Sequence, residues 1–212
     1  MMNNFLLPSA ESVTANPHKM LPKLLHQQGN GVGRAYQDAT LLADAILEAA
    51  VVIEDFLVPW RPALSDSLLE GLLADENARF ESREHRELKV HARIVALAAN
   101  PSALLEPESK IGHERFALRP DLIVWSAFGV SESYECGATD GRGVYMQLLS
   151  GQIRVTVLPF SGLNAPGIRG YVFRFPTNPP MPEITAEAAQ AAWNELVATD
   201  FTTDMLSINS CI

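Results

Sequence analysis

Arg119-Pro120-Asp121-Leu122-Ile123-Val124-Trp125, followed after a turn around Gly129 by Tyr134-Glu135-Cys136-Gly137, is the stretch whose reading decides the fold. Apolar, β-branched and aromatic residues predict strands over Asp121 to Phe128 and Glu132 to Ala138. A hairpin turn centred near Phe128 sets Asp121 opposite Glu135, where directly paired side chains stand about 5 Å apart. Two carboxylates so placed repel, and an apolar sheet disfavours their charge. The pair therefore calls for a divalent metal, an arginine or a proton. The plainer reading is that Pro-Asp ahead of a strand is common turn chemistry.

Outward from this hairpin, His113 to Leu118, Ile153 to Phe160 and Ile168 to Phe175 read as further strands, and Ala186 to Ala198 as a closing helix. Upstream, Asp75 to Ala99 reads as a long helix that ends before Asn100-Pro101, since the residue preceding proline is pushed out of the α region. Ser65 to Leu73 reads as a short helix. Asp38 to Leu57 is apolar at almost every position except Asp44, Glu48, Glu54 and Asp55, and is expected to be one buried helix that stops at Pro59. The first thirty-odd residues, rich in Asn, Gln, Gly, Pro and Ser, are expected to form an arm or loop. The expected division is residues 1–74 as an N-terminal arm and helical region, and residues 75–212 as an α/β core with a C-terminal helix. The fold class is α/β (α+β), a mixed sheet flanked by helices with a helical N-terminal extension.

The long helix offers a third acid. Glu84, Leu88, His91 and Val95 share one stripe, while Glu87 and His91 share the neighbouring one. Asp121 and Glu135 are the candidate metal ligands, with Glu84 or Glu87 completing the shell through water. Three oxygen ligands plus water suit the Mg²⁺ or Mn²⁺ of a phosphodiesterase. Arg142 is the candidate phosphate contact; arginine stays protonated and so neutralises phosphate charge without acting as a base. The plainer alternatives are a solvated helix face for Glu84, Glu87 and His91, and an ion pair of Arg142 with Asp140 or Glu135. Gly29-Asn30-Gly31-Val32-Gly33 lacks a preceding strand and a following Lys-Ser/Thr, so it reads as a hinge rather than a phosphate loop. Cys136 beside Glu135 is a poor nucleophile, because a neighbouring carboxylate raises a thiol pKa.

Tyr134-Glu135-Cys136-Gly137-Ala138-Thr139-Asp140-Gly141-Arg142 resembles the Glu-x-Gly-x-x-Asp-x-Arg segment of YaeQ-like proteins, a branch of the PD-(D/E)XK nuclease superfamily with a displaced lysine. Glu81-Ser82-Arg83-Glu84-His85, followed by Leu88 to Ala99, is similar to the acidic start of that family's core helix. The similarity runs over roughly residues 80–160. It implies a restriction-endonuclease-like core and Mg²⁺- or Mn²⁺-dependent hydrolysis of nucleic acid. Two departures stand out: Gly137 occupies the place of the usual motif lysine, and the helix after Asp140 carries Arg142 and no lysine.

Composition bounds the rest. The chain has 212 residues, 47% of them hydrophobic, enough to bury a core. Four carboxylates between Ala39 and Leu57 are too many for a membrane span, no secretory signal is expected at Met1, and only two cysteines occur. A cytoplasmic protein without disulfides is the expectation. The net charge of −9 is unevenly spread, with −6 over residues 1–78, +2 over 79–174 and −5 over 175–212. Only the middle can present a basic face to nucleic acid. No Gly-x-Ser-x-Gly elbow or His-Glu-x-x-His helix is present, which leaves small-molecule hydrolysis without a motif. Two functions stand open: a metal-dependent nuclease, favoured by the clustered carboxylates, and a catalytically inactive nuclease-fold protein that binds a protein partner through acidic surfaces, favoured by the missing lysine and the charge.

Overall fold

The computed structural model describes residues 7–25, 39–73, 81–111 and 118–208, with side chains to residue 199. In chain order the elements are α1 (Ala10–Ala15), α2 (Pro17–Leu25), α3 (Thr40–Leu47), β1 (Val52–Val58), α4 (Asp66–Leu72), α5 (Arg83–Ala99), β2 (Leu104–Pro107), β3 (Leu122–Trp125), β4 (Ser131–Cys136), α6 (Gly141–Leu149), β5 (Val155–Leu158), a 3₁₀ turn (Phe160–Asn164), β6 (Ile168–Arg174) and α7 (Ala186–Ile208). Hydroxyl and carboxylate caps start the helices that frame the site. The Ser82 side chain accepts from the His85 amide at the head of α5, and Asp140 accepts from the Arg142 amide at the head of α6.

Six strands form one mixed sheet in the order β1-β6-β5-β4-β3-β2. Among the described residues only the β4–β5 pair is parallel, and α6 makes the crossover between them, as a parallel connection requires. Helices cover both faces. On one, α4, α5 and α7 bury Leu88, Val95, Ala189 and Leu196 against Leu122, Val124, Tyr134, Cys136 and Leu158. On the other, α2, α3 and α6 bury Leu24, Leu42 and Val144 against Ile53, Val155, Val157, Tyr171 and Phe173. Alternation along β4 therefore sends Tyr134 and Cys136 toward α5, and Ser133 and Glu135 toward α6. Among the described residues no helix is long and apolar enough to cross a membrane.

Several expectations change. The single helix over Asp38 to Leu57 is instead α3, a turn and β1. Ala49 takes a left-handed backbone with φ 54°, the amides of Ala50 and Val51 both return to the Ala45 carbonyl, and the β-branched run Val51-Val52-Ile53 enters the sheet opposite Arg174 and Phe173. Charged Glu54 and Asp55 belong to an edge strand rather than to a helix face. The amino-terminal arm also contains structure: α1 and α2 lie within it, and Leu21, Leu24 and Leu25 are fully buried. β2 was not anticipated. The strand expected over His113 to Leu118 lies outside the described residues except for Leu118, which bridges to Ile111. The glycine-rich hinge, residues 75–80 of the long helix and Cys211 also lie outside them.

The break at Ala49 has a signed consequence. Ala49→Gly is expected to raise the unfolding free energy by about 0.5–1 kcal/mol, because glycine enters the left-handed region without the Cβ penalty. Inside a continuous helix the same change would lower stability by about 1 kcal/mol. Urea unfolding followed by circular dichroism gives the sign, and a loss of stability would restore the helix over this segment.

Candidate functional site

The hairpin register pairs Leu122 with Tyr134 and Trp125 with Ser131, so Asp121, one residue ahead of β3, faces Glu135 as the turn near Phe128 predicts. Gly129 makes that turn with φ 72°. The Asp121 carboxylate ties three elements together. Its Oδ2 accepts the Cys136 amide at 2.7 Å, and its Oδ1 lies 3.2 Å from His85 Nε2 on α5. The Lys89 ammonium, one turn further along α5, is 4.0 Å from the same oxygen.

Lys89 is only 3% exposed. It donates to Glu81 at 2.8 Å and to Glu108, just past β2, at 2.9 Å. Arg119 closes the outer side by donating to the Glu108 carbonyl at 2.8 Å. Desolvation pushes the His85 imidazole down, but the hydrogen bond and charge of Asp121, joined by the charge of Glu81, outweigh it and leave its pKa above the ordinary 6.5. The imidazolium form is thus favoured beside the two carboxylates.

Glu135 takes its side-chain hydrogen bond from α6. Ser133 Oγ donates to Gln147 Oε1 at 2.5 Å, which fixes the amide so that Gln147 Nε2 donates to Glu135 Oε1. Glu135 keeps some open surface, yet the protein packed round its carboxyl, together with the Asp121 charge, pushes its pKa up to about 8 against the pull of Gln147, His85 and Thr139. Burial and the Asp121 charge thus favour a proton on Glu135, while Asp121 is met by an imidazole and a backbone amide.

The structure brings Asp121 and Glu135 together and leaves the other candidates apart. Glu84 is exposed in the first turn of α5, where backbone and Ser82 hydrogen bonds hold its pKa below the usual range. Glu87 lies 4.0 Å from His91 Nε2, and His91 is on the buried side of α5, where burial, then the Arg61 charge, lowers its pKa to about 3. The helix-side acid near Asp121 is Glu81, because the start of α5 at Arg83 turns Glu84 outward. Arg142 is exposed at the head of α6. Sequence reasoning passed over His85 and Lys89, although their i, i+4 spacing from Glu81 and each other would have placed all three on one helical stripe.

Position 137 is closed to a lysine. Gly137 has φ 83°, and a Cβ there would fall 2.6 Å from Phe160 Cε2. The Phe160 ring also lies 6.3 Å from the His85 ring, tilted by 51°. Lys89 is instead the lysine whose ammonium reaches Asp121.

Among the described residues no three His, Cys, Asp or Glu side chains converge where they could hold a metal ion. Mg²⁺ is commonly held by one or two carboxylates and keeps several waters. Asp121 and Glu135 fit that requirement as hard oxygen donors, and a cation would satisfy the charge that Glu135 otherwise avoids by protonation.

The raised Glu135 pKa makes stability pH-dependent. The folded carboxyl binds its proton more tightly than the ordinary 4.5 of the unfolded chain. Its contribution is complete below pH 4.5 and is lost as pH rises toward about 8. In chelator, Glu135→Gln should therefore melt higher than wild type at pH 8, by an amount worth a few kcal/mol, with the advantage vanishing near pH 5. A pH-independent difference in melting temperature would remove the buried, protonated carboxyl.

The chain matches no protein-family model, and comparison with curated proteins and with solved structures finds no match to either.

Proposed function

We propose that the chain is a metal-dependent phosphodiester hydrolase of degenerate PD-(D/E)XK type, cytoplasmic and acting on nucleic acid. The observation that carries this reading is the pairing of Asp121 with Glu135 at one end of the β3–β4 hairpin, with the α5 cation Lys89 4.0 Å from Asp121. The mixed sheet with helices on both faces agrees with the restriction-endonuclease-like core that the resemblance over residues 80–160 implies.

Asp121 and Glu135 would hold Mg²⁺ or Mn²⁺. A divalent cation there supplies Lewis acidity at the phosphoryl group and lowers the pKa of a bound water. The Cys136 amide and the His85 imidazole orient Asp121, and Gln147 orients Glu135. Lys89, held by Glu81 and Glu108, sets its amine beside Asp121, where it helps to position that carboxylate. Arg142, exposed at the α6 N-terminus, steadies a neighbouring phosphate. With net charge −9, binding rests on these few local contacts rather than on a broad basic face.

The second reading, an inactive member of the fold that engages a protein partner, draws on Gly137, where Phe160 occupies the space a motif lysine needs. Labelled single- and double-stranded DNA and RNA, incubated with the full chain and Mn²⁺ or Mg²⁺, separate the two. Cleavage abolished by Asp121→Asn is expected. Metal at a hundred times Kd should also add about 2.7 kcal/mol of stability, and that gain should disappear in Glu135→Gln. Absence of both cleavage and metal-dependent stabilisation would leave the partner-binding reading.

A further inference from the structure

β1 is an edge strand. Its inner side pairs with β6 from Val52↔Arg174 to Val58↔Ile168, and no described strand pairs with its outer side. Residues 54 to 59, six in succession, line a groove of about 700 Å³ whose opposite wall is residues 180–187. Successive side chains on a strand point to opposite faces, so Glu54, Phe56 and Val58 share the face that Val172 of β6 occupies opposite Glu54, and the groove lies over that face beside the edge.

The opposite wall cannot close the ladder itself. Pro180 and Pro182 have no amide hydrogen to donate. The chain leading to them is pinned elsewhere: Arg154 donates to the Pro180 carbonyl at 2.8 Å, Arg174 to the Asn178 carbonyl at 2.9 Å, and Asn178 to the Ile153 carbonyl at 2.8 Å. Among the described residues the β1 edge thus has no strand partner, with α1 packed nearby through the Ala10 amide, which donates to Asp55 Oδ1 at 3.1 Å, and with a wall beside it held in place by these bonds.

The groove pairs apolar surface with negative charge. Phe56, Val58, Met181 and Ile184 supply the apolar lining. Glu54 and Asp55 lie on the strand side, where Arg174 and Arg169 neutralise them in part. Across the groove, Glu183 and Glu187 are exposed and have no salt-bridge partner among the described residues. A second copy of the chain is a poor occupant, because antiparallel pairing of two β1 edges about their midpoint sets Asp55 against Asp55, and like charges directly opposite are unfavourable. Nucleic acid is repelled by the same carboxylates.

We infer that the β1 edge and the 180–187 wall form a docking slot for an extended segment of a protein partner in which Lys or Arg alternates with apolar residues, added to the sheet as a seventh strand. Its main chain bonds the β1 edge, its basic side chains turn to the face that carries Glu183 and Glu187, and its apolar ones turn to the opposite face, beside the half-exposed Leu57. None of the residues of the hydrolase site takes part, so this surface stands whether or not the chain cleaves phosphodiesters.

The test uses fluorescein-labelled acetyl-Lys-Val-Lys-Val-Lys-Val-Lys-amide, read by fluorescence polarisation on the full chain. Three comparators go beside it: the same peptide with every Lys replaced by Glu, the same peptide with alternate amides N-methylated, and the double variant Glu183→Lys/Glu187→Lys, its fold checked by circular dichroism. Saturable binding is expected for the basic peptide, at least tenfold weaker for each comparator, with amide shift changes confined to residues 52–58 and 180–187. Equal binding of the acidic peptide, undiminished binding of the N-methylated one, shifts mapping to another surface, or no saturable binding at all would overturn the proposal. The peptide comparisons need only the wild-type chain, so they decide the matter even if the double variant fails to fold.

Discussion

Strand β4 is covered by helices on both faces, and its register governs what surrounds it. Tyr134 and Cys136 fill the layer under α5, while Ser133 and Glu135 meet α6. A slip of one residue would exchange the two sets, driving Glu135 among Leu88 and Val95 and setting Tyr134 against Gln147. The turn holds the register locally: the Gly129 amide returns to the Ser126 carbonyl at 3.0 Å, and the Ser126 amide bonds the Val130 carbonyl at 2.9 Å. Asp121 holds it from the other end by accepting the Cys136 amide. The feature that gives the hairpin its chemistry also helps to fix its geometry.

Each inward carboxyl has its own answer to burial. Glu135 keeps a proton, Asp121 takes an amide and an imidazole, and Glu81 with Glu108 share the ammonium of Lys89. Further along β4, Glu132 meets Arg154 at 2.7 Å with both side chains largely covered. Such pairs add little net stability compared with apolar packing, but losing one partner leaves a stranded charge that costs about 3–5 kcal/mol. The cluster around Asp121 is consequently tightly specified in position.

Two separate surfaces emerge from one sheet. The carboxyl pair lies on β3 and β4, whereas the open edge lies on β1, with β6 and β5 between. At roughly 4.8 Å per strand step, three steps set β1 about 14 Å from β4. The acidic ends of the chain acquire different roles in this layout. Glu54 and Asp55 guard an edge against self-pairing, as charged edge residues commonly do, and Glu183 and Glu187 line the groove beside that edge from the 180–187 segment. The near-neutral middle segment builds the site.

By itself the sequence determined the β3–β4 hairpin, its turn near Phe128 and the opposition of Asp121 and Glu135, because strand alternation and a glycine turn are local and have period two. It also located α4, the proline-limited end of α5, and strands β5 and β6, but set the start of α5 at Asp75 rather than at Arg83. It misread Asp38 to Leu57, where a continuous apolar run fits a buried helix as well as a helix followed by a strand; pairing of Val52 to Val58 with β6, more than a hundred residues away, decides between them. The site was legible only in its strand half. Which side of α5 faces the sheet depends on where the helix starts and on which of its flanks α4 and α7 cover, and that long-range packing turned Glu84 to solvent while aiming His85 and Lys89 at Asp121. The exclusion of lysine from position 137 was likewise decided by Phe160, a residue distant in sequence whose ring fills the space only once β4 and β5 lie side by side.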